Sequence, residues 1–245
     1  MTMSTTAGPL GAEGASSAMG ALRPIAQQSL SAQVTSELRR SIVSGDLTPG
    51  QSLSLRKLAD QLGVSFIPVR DALKVLESEG LITNPPGRSA SVAPLDLAEL
   101  QSVYRIRRRL EPDLARRAVR GLSDVQLDAL YQVATDLGDE RRSMDDIYDD
   151  HRAFHLDLLA PAATAWDERI LTVLWQACER YVRIGFGLLD TDPEEHRRRA
   201  EAHQLLVDEF RTRDPEAAAR ALDEHLAHNE TIASRALAQR DAVGD

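Results

Sequence analysis

The sequence predicts a mainly α-helical protein, with an N-terminal unit of three helices and a two-stranded wing followed by an all-α antiparallel helical bundle. Aromatic residues make up only 4% of the 245 residues, and the apolar bulk comes from Leu, Ala and Val, which favours helices. Two short helical patterns separated by a glycine occupy residues 53–81, and only long helical patterns follow Pro94.

The two short helices are joined by a tight turn. The first spans Leu55–Leu62 with Ser54 as its N-cap, and Gly63 supplies the positive φ that a sharp turn requires. Ser65 caps the second helix, which runs to about residue 79 and ends at Gly80. This pattern predicts a compact helix–turn–helix unit.

The spacing of small and apolar residues identifies the type of helix pair. Ala59 allows close approach of the second helix, and Val69 faces the shared core together with Leu73 and Leu76. This spacing is typical of a DNA-binding helix-turn-helix, whose second helix enters the major groove. A helix at about 31–44 precedes it, and short strands at 81–83 and 90–93 follow as a wing.

The second helix, the wing and the start of the first helix carry the side chains that we expect to contact double-stranded DNA. Arg70 is the candidate for a bidentate guanine contact, Lys74 for a phosphate, and Arg88 on the wing for the minor groove. The full predicted set is Arg56, Ser65, Phe66, Ile67, Arg70, Lys74 and Arg88. The alternative is that the charged members are solvated side chains on a small helical domain.

The charge distribution supports a DNA-reading head on a separate acidic body. Residues 21–95 hold eight basic and six acidic side chains, whereas the whole chain carries a net charge of −9. We therefore expect an arm at 1–24, a DNA-binding domain at 25–94 and a helical domain at 95–240. The arm lacks the features of a signal peptide.

The composition also predicts the cellular setting. Cys178 is the single cysteine, so an internal disulfide is excluded and a reducing, cytoplasmic location at the nucleoid is expected. No apolar run reaches transmembrane length.

The bundle is predicted to contain six helices. Two of them begin at an Asp-Pro pair, which supplies a cap and a first-turn proline. The fourth has a broad apolar face, which comprises Ile170, Leu174, Ala177, Tyr181 and Ile184, and it is expected to be central and buried. Their predicted limits are about 96–120, 123–138, 143–160, 166–186, 193–212 and 215–238.

Four histidines are placed to converge inside this bundle. His151 and His155 are four residues apart on one helix and share a face. His203 and His225 each lie about three helical turns from the turn at 214–215, so an antiparallel hairpin brings them to the same level. Four imidazoles in one place predict a site for a late divalent metal ion, Zn²⁺ or Ni²⁺.

The alternative is four unrelated histidines, some of them on the acidic surface. Of the two remaining histidines, His196 is two helical turns from His203 and too far away to share a metal. His228 lies one turn past His225, where it is either an outer partner of the site or solvated.

The sequence resembles the GntR superfamily of bacterial transcription regulators, in its FadR-like branch with an FCD effector domain, over about residues 25–240. The stretches SGDLTPGQSLSLRKLADQLGVS and PVRDALKVLESEGLI carry the first half of the resemblance. RIRRRLEP, HRAFH and the 22-residue separation of His203 and His225 carry the second. The resemblance implies a homodimer that controls transcription in response to a small molecule, often a carboxylate.

The resemblance also implies a ligand set for the metal. In metal-binding members an acidic residue lies four positions before the histidine of an FH pair, and here that histidine is His155. The acidic position falls on His151, with Asp150 one residue earlier. His155, His203 and His225 are therefore implied as ligands, and the fourth ligand stays open between His151 and Asp150.

Three further positions concern the binding of the effector and of DNA. Arg107 matches an arginine that lies near the effector pocket in the family and can pair with a carboxylate; the alternative is a solvated or salt-bridged face. Family members commonly have arginine where this chain has Phe66, and their wing usually ends Arg-Gly where this chain has Arg88-Ser89. These two differences predict an operator unlike the family's common one.

We therefore expect a ligand-responsive transcription regulator, a repressor released by a small organic acid bound at the metal site. As a homodimer it reads a near-palindromic operator, and it is not an enzyme. One alternative is a metal-dependent enzyme that carries a DNA-targeting head. Another is an architectural DNA-binding dimer with an inert bundle.

Overall fold

The computed structural model describes residues 29–187 and 193–243, so the predicted arm at 1–24 lies outside the described residues. Within them the chain is mainly helical, with a small antiparallel sheet near the N-terminus and helices alone after residue 96. The predicted fold class is confirmed.

The N-terminal unit contains three helices and three short strands. Its elements are α1 (Leu30–Val43), β1 (Ser52–Leu53), α2 (Leu55–Leu62), α3 (Phe66–Ser78), β2 (Ile82–Thr83) and β3 (Ala90–Val92).

The helix-turn-helix forms at the residues that its sequence pattern indicated. The Ser54 hydroxyl accepts a hydrogen bond from the Lys57 backbone N–H at 3.4 Å, and Gly63 has a φ of 64°. Val69 and Leu76 are fully buried in the shared core. Ser65 does occupy the N-cap position of α3, but its side chain makes no capping hydrogen bond, so that detail of the prediction was wrong.

The wing is part of a three-stranded sheet rather than an isolated hairpin. β2 and β3 pair antiparallel, with Ile82 opposite Val92. β1 adds to the other edge of β3, with Leu53 opposite Ala90, so the strand order is β1-β3-β2. Two residues are too few to show strand periodicity, so the sequence pattern did not reveal β1.

Six helices form the bundle in the described residues, and α4 packs along α9, α5 against α8, and α7 against α9. Their starts follow capping chemistry: the Asp96 carboxylate accepts from the Glu99 N–H at 2.8 Å, and Ser123 and Gln126 form a capping box. The helices are α4 (Leu97–Ala118), α5 (Asp124–Asp136), α6 (Met144–Leu159), α7 (Ala165–Gly187), α8 (Pro193–Arg211) and α9 (Pro215–Val243).

Helix α7 is only partly buried, in contrast to the prediction of one broad buried face. Trp175 and Tyr181 are each 2% exposed, and Leu174 is also buried. Ile170, which the sequence assigned to the same face, is exposed together with Val173. The N-terminal half of α7 therefore presents apolar side chains to the surface, and its centre enters the core.

The connector between the wing and the bundle is fastened to α7. The Arg180 guanidinium donates to the Ala93 carbonyl at 3.1 Å and to the Glu99 carboxylate at 2.7 Å. The Tyr181 hydroxyl accepts from the Asp96 N–H at 3.1 Å and donates to Glu99. Burial and the bond to Glu99 raise the pKa of Tyr181 to about 12, so the phenol stays protonated.

A cleft of about 590 Å³ separates α1 of the head from α6 and α7 of the bundle. The charged residues that line it form ion pairs with one another: Arg152 contacts Glu179 at 3.2 Å, and Arg183 contacts the same carboxylate at 3.2 Å. Among the described residues, no helix combines the length and the apolar character that a bilayer span requires.

Replacing Gly63 with Ala should lower the free energy of unfolding by about 1–2 kcal/mol, because a left-handed backbone conformation is strained for a residue with a Cβ. No heavy atom lies within 4 Å of the added Cβ, so the cost is that of the backbone alone. Urea denaturation measures it. Asp60→Ala, at an exposed position of α2, is the matched control, and equal stability of the two variants would contradict the strain.

Candidate metal centre and nucleic-acid interface

Four histidines from three helices meet in the interior of the bundle. α6 carries His151 and His155 on one face, α8 carries His203 and α9 carries His225. One nitrogen from each ring lies within 4.8 Å of the corresponding nitrogens of the other three. The ring centroids of His203 and His225 are 4.6 Å apart, and those of His151 and His203 are 4.9 Å apart. The cluster can hold a metal ion.

The spacing of the nitrogens suits a coordinated cation. A metal about 2.0–2.1 Å from each nitrogen requires separations of about 3.3 Å in a tetrahedron and about 4.2 Å between opposite ligands of an octahedron. Small side-chain movements bring nitrogens within 4.8 Å to either arrangement. The protein–metal contacts would therefore not require the helices to move apart.

Hydrogen bonding leaves lone pairs available at the centre of the cluster. The His203 Nδ1–H donates to the Arg199 carbonyl at 2.7 Å, so its Nε2 carries the lone pair. That Nε2 and both ring nitrogens of His155 are buried without a hydrogen-bond partner among the described residues. Unpaired buried nitrogens cost free energy, and a bound cation would accept the lone pair of His203 Nε2 and that of the one nitrogen of His155 that carries no proton.

Burial keeps the cluster neutral at physiological pH. It lowers the pKa of His151, His155 and His225 well below the ordinary value, with smaller contributions from neighbouring histidines and from the Arg107 guanidinium. Burial also lowers the pKa of His203 to about 4. Neutral imidazole is the form that binds metals, so no proton must be removed before binding.

The surroundings of the cluster distinguish His151 from Asp150, the two candidates for the fourth metal ligand. Asp150 points away and pairs with Arg142 at 2.7 Å, whereas His151 lies in the cluster. His228 is exposed. The amide nitrogen of the buried Asn229 is 3.1 Å from Nε2 of His225, a contact that the sequence analysis did not anticipate.

Arg107 is inside the bundle rather than on the solvated face considered from the sequence. It is 1% exposed, and its Nε donates to the Glu111 carboxylate at 2.6 Å. Its guanidinium carbon lies 3.9 Å from the centroid of the Trp175 ring, and Nη1 is 3.1 Å from the Cys178 sulfur. The same indole is 5.0 Å from the ring of His155, so it connects Arg107 with the cluster.

The residues predicted to contact DNA are all exposed on the head. Phe66 and Ile67 are 48% and 67% exposed at the start of α3, where they are adjacent apolar side chains at the surface. In residues 29–187 and 193–243, the basic members make no ion pair, unlike Arg39, which pairs with Glu79 at 2.6 Å. The exposed members are Arg56, Ser65, Phe66, Ile67, Arg70, Lys74 and Arg88.

This combination of head and bundle defines a class of bacterial transcription regulator. The family described as "Bacterial regulatory proteins, gntR family" matches residues 30–92, and the "FCD domain" matches residues 102–228. The chain belongs to the GntR family and has the FadR-like architecture in which an FCD domain follows the helix-turn-helix. The resemblance stated from the sequence is confirmed.

Individual relatives bear the names of transcriptional regulators. The chain is 29% identical over 211 residues to the HTH-type transcriptional regulator McbR of Escherichia coli (strain K12), covering 83% of this chain and 92% of McbR. It is 30% identical over 206 residues to the HTH-type transcriptional repressor RspR of the same organism, covering 81% and 86%.

Solved structures show the same fold. The solved structure of E. coli McbR/YncC matches with a TM-score of 0.70 at 28% identity, covering 85% of this chain and 99% of that one. A GntR regulator from Rhodococcus sp. RHA1 matches with a TM-score of 0.67 at 22% identity, a likeness of fold alone.

The metal-free protein should lose stability as the pH falls from about 6.5 towards 4. The unfolded chain protonates its histidines near 6.5, whereas the folded chain resists protonation, down to about pH 4 for His203. Each such histidine costs up to about 1.4 kcal/mol per pH unit in that window. Urea denaturation at pH 7.0 to 5.0 measures the slope. His203→Asn should reduce it, and a slope unchanged by that variant would contradict the assignment.

Proposed function

We propose that this GntR-family regulator is a homodimeric repressor whose FCD domain binds a late divalent metal ion and a small organic acid, and that the acid releases it from DNA. The observation that carries the proposal is the meeting of four neutral imidazoles inside the bundle, three of them buried and the fourth, His225, partly buried, with unpaired ring nitrogens on His155 and His203. Its relative RspR bears the name of a repressor, which supports the direction of regulation.

His151, His155, His203 and His225 would hold the metal, with Zn²⁺ or Ni²⁺ as the preferred ions. Imidazole nitrogen suits these ions, whereas Mg²⁺ and Ca²⁺ require oxygen ligands. With His151 in place of the carboxylate that is usual in the family, the ligand set carries no negative charge. The bound ion would therefore keep its full positive charge, which favours an anionic effector.

Arg107 would provide the second anchor for the acid. It is separated from the cluster by the indole of Trp175 and is held by the carboxylate of Glu111. An incoming carboxylate must share the guanidinium with Glu111 or displace it. Either outcome changes how α4, which carries both residues, is held inside the bundle.

Helix α7 offers a route from this site to the head. Trp175 and Cys178 contact Arg107, and the next turn carries Arg180 and Tyr181, which hold the connector through Ala93, Asp96 and Glu99. A movement of α7 on acid binding would change these contacts. The response is allosteric only if the acid binds two arrangements of the dimer unequally.

The head would read DNA through the exposed start of α3 and the wing. In a homodimer, two copies of α3 would enter successive major-groove segments, so the operator is expected to be near-palindromic. Arg70 would bind guanine, Phe66 and Ile67 would contact thymine methyl groups, and Arg56, Lys74 and Arg88 would bind the backbone or the minor groove. Ser65 lies at the N-terminus of α3, where its hydroxyl can bind a phosphate.

Metal binding is tested by comparing two histidine variants on the same helix. The purified wild-type protein should hold about one Zn²⁺ or Ni²⁺ per chain by elemental analysis after dialysis. His225→Ala should bind the ion at least about tenfold more weakly, because even outer partners of a metal contribute that much. His228→Ala, one turn away and exposed, should bind like the wild type.

Equal metal content in the His225→Ala and wild-type proteins would remove His225 from the ligand set. Conversion of an organic acid into a product by the metal-loaded protein would favour the metal-dependent enzyme over the regulator.

The DNA contact is tested at Arg70. An operator is first selected from random duplexes by the wild-type protein. Arg70→Ala should then lose about 5- to 150-fold in affinity, corresponding to about 1–3 kcal/mol, and should tolerate any base at one position of each half-site. Fluorescence anisotropy at fixed salt measures both effects. Glu77→Gln, exposed further along α3, is the control, and retained discrimination at every base pair would contradict a base contact by Arg70.

A further inference from the structure

We infer that the Tyr104 hydroxyl and the Trp175 indole N–H are hydrogen-bond donors to the effector, and that the site selects an ionised acid over an uncharged analogue that carries donors. This inference rests on the proposed function and names the residues that read the effector. Both polar atoms are buried, and neither has a hydrogen-bond partner among the described residues.

Such atoms are uncommon in protein interiors. The large majority of buried side-chain polar atoms are hydrogen-bonded, and leaving one unpaired costs about 1–3 kcal/mol. Tyr104 is 0% exposed and Trp175 is 2% exposed. Two such donors in one small region are more simply explained by a ligand than by packing, because phenylalanine would fill the place of Tyr104 without the cost.

The two side chains flank the same buried guanidinium. The guanidinium carbon of Arg107 lies 3.9 Å from the Trp175 ring centroid and 5.1 Å from the Tyr104 ring centroid. Trp175 is also next to the histidine cluster, with its ring 5.0 Å from that of His155 and 5.5 Å from that of His151. A molecule that reached from the cluster to Arg107 would therefore pass the indole.

The hydrogen-bonding groups in this region are mostly donors. Indole has a donor and no acceptor, and guanidinium has five donors and no acceptor. Burial raises the pKa of Tyr104 above its ordinary value, so the phenol keeps its proton. Glu111 is the carboxylate that Arg107 already holds. Carboxylate oxygens, which only accept, are the complement of such a set.

The test uses Tyr104→Phe, which removes one oxygen atom and keeps the ring. The probes are acetate, succinate and benzoate, titrated into the Ni²⁺-loaded full-length protein by calorimetry, and the acid that binds the wild type most tightly is carried forward. Tyr104→Phe should bind that acid about tenfold or more weakly, since a hydrogen bond to a charged group contributes about 1.5–3 kcal/mol. Its metal content and its affinity for DNA without acid should equal those of the wild type.

Two further measurements separate recognition from packing. The melting temperature of metal-loaded, acid-free Tyr104→Phe should equal or exceed that of the wild type, because an unpaired buried hydroxyl has been removed. Trp175→Phe should likewise weaken acid binding, with Trp166→Phe, an exposed position of α7, as its control. Tyr131→Phe makes the same chemical change as Tyr104→Phe on α5, outside the site, and should bind the acid like the wild type.

The possible outcomes separate this inference from the proposed function. If the wild type binds metal and an acid, but Tyr104→Phe and Trp175→Phe bind the acid equally well, the inference is wrong and the proposed function stands. Binding of the primary amide of the acid as tightly as the acid itself would also overturn it. If no acid binds the metal-loaded wild type, the proposed function and the inference fail together.

Discussion

Most of the bundle depends on one constraint, the burial of four neutral imidazoles in contact with one another. His151, His155 and His203 are buried and His225 is partly buried, and burial opposes the protonation of all four rings. Three helices must keep fixed positions to bring the rings to one level. A cation at their centre would bind the free lone pairs and would link α6, α8 and α9. Metal binding would therefore increase the free energy of unfolding of the bundle.

The polar groups of the interior form a second layer around this cluster. The ion pair between Arg107 and Glu111 is buried on both sides, and such a pair contributes little net stability because desolvation opposes it. The pair lies on α4 beside Trp175, whose ring also contacts His155, and we propose that its role there is to bind an anion. The same helix α7 then holds the connector to the head through Arg180 and Tyr181.

The features that could be predicted from the sequence are those that depend on residues close together in the chain. The turn of the helix-turn-helix follows from Gly63, and the common level of His203 and His225 follows from a short turn between antiparallel helices. Contacts between segments far apart in the sequence could not be predicted, because short-range patterns carry no information about them. β1 has only two residues, and the bonds from Tyr181 to the connector join positions 82 and 85 residues apart. The pairing of Arg107 with Glu111 had a signal, their four-residue spacing on a helix.

The central claim, that four imidazoles hold one cation, is tested most directly by X-ray absorption spectroscopy of the Zn²⁺- or Ni²⁺-loaded protein in solution. The account predicts a first shell of nitrogen and oxygen atoms at about 2.0–2.1 Å in which the multiple-scattering pattern requires about four imidazole rings. A shell with two imidazoles or fewer, or one that contains sulfur, would contradict it.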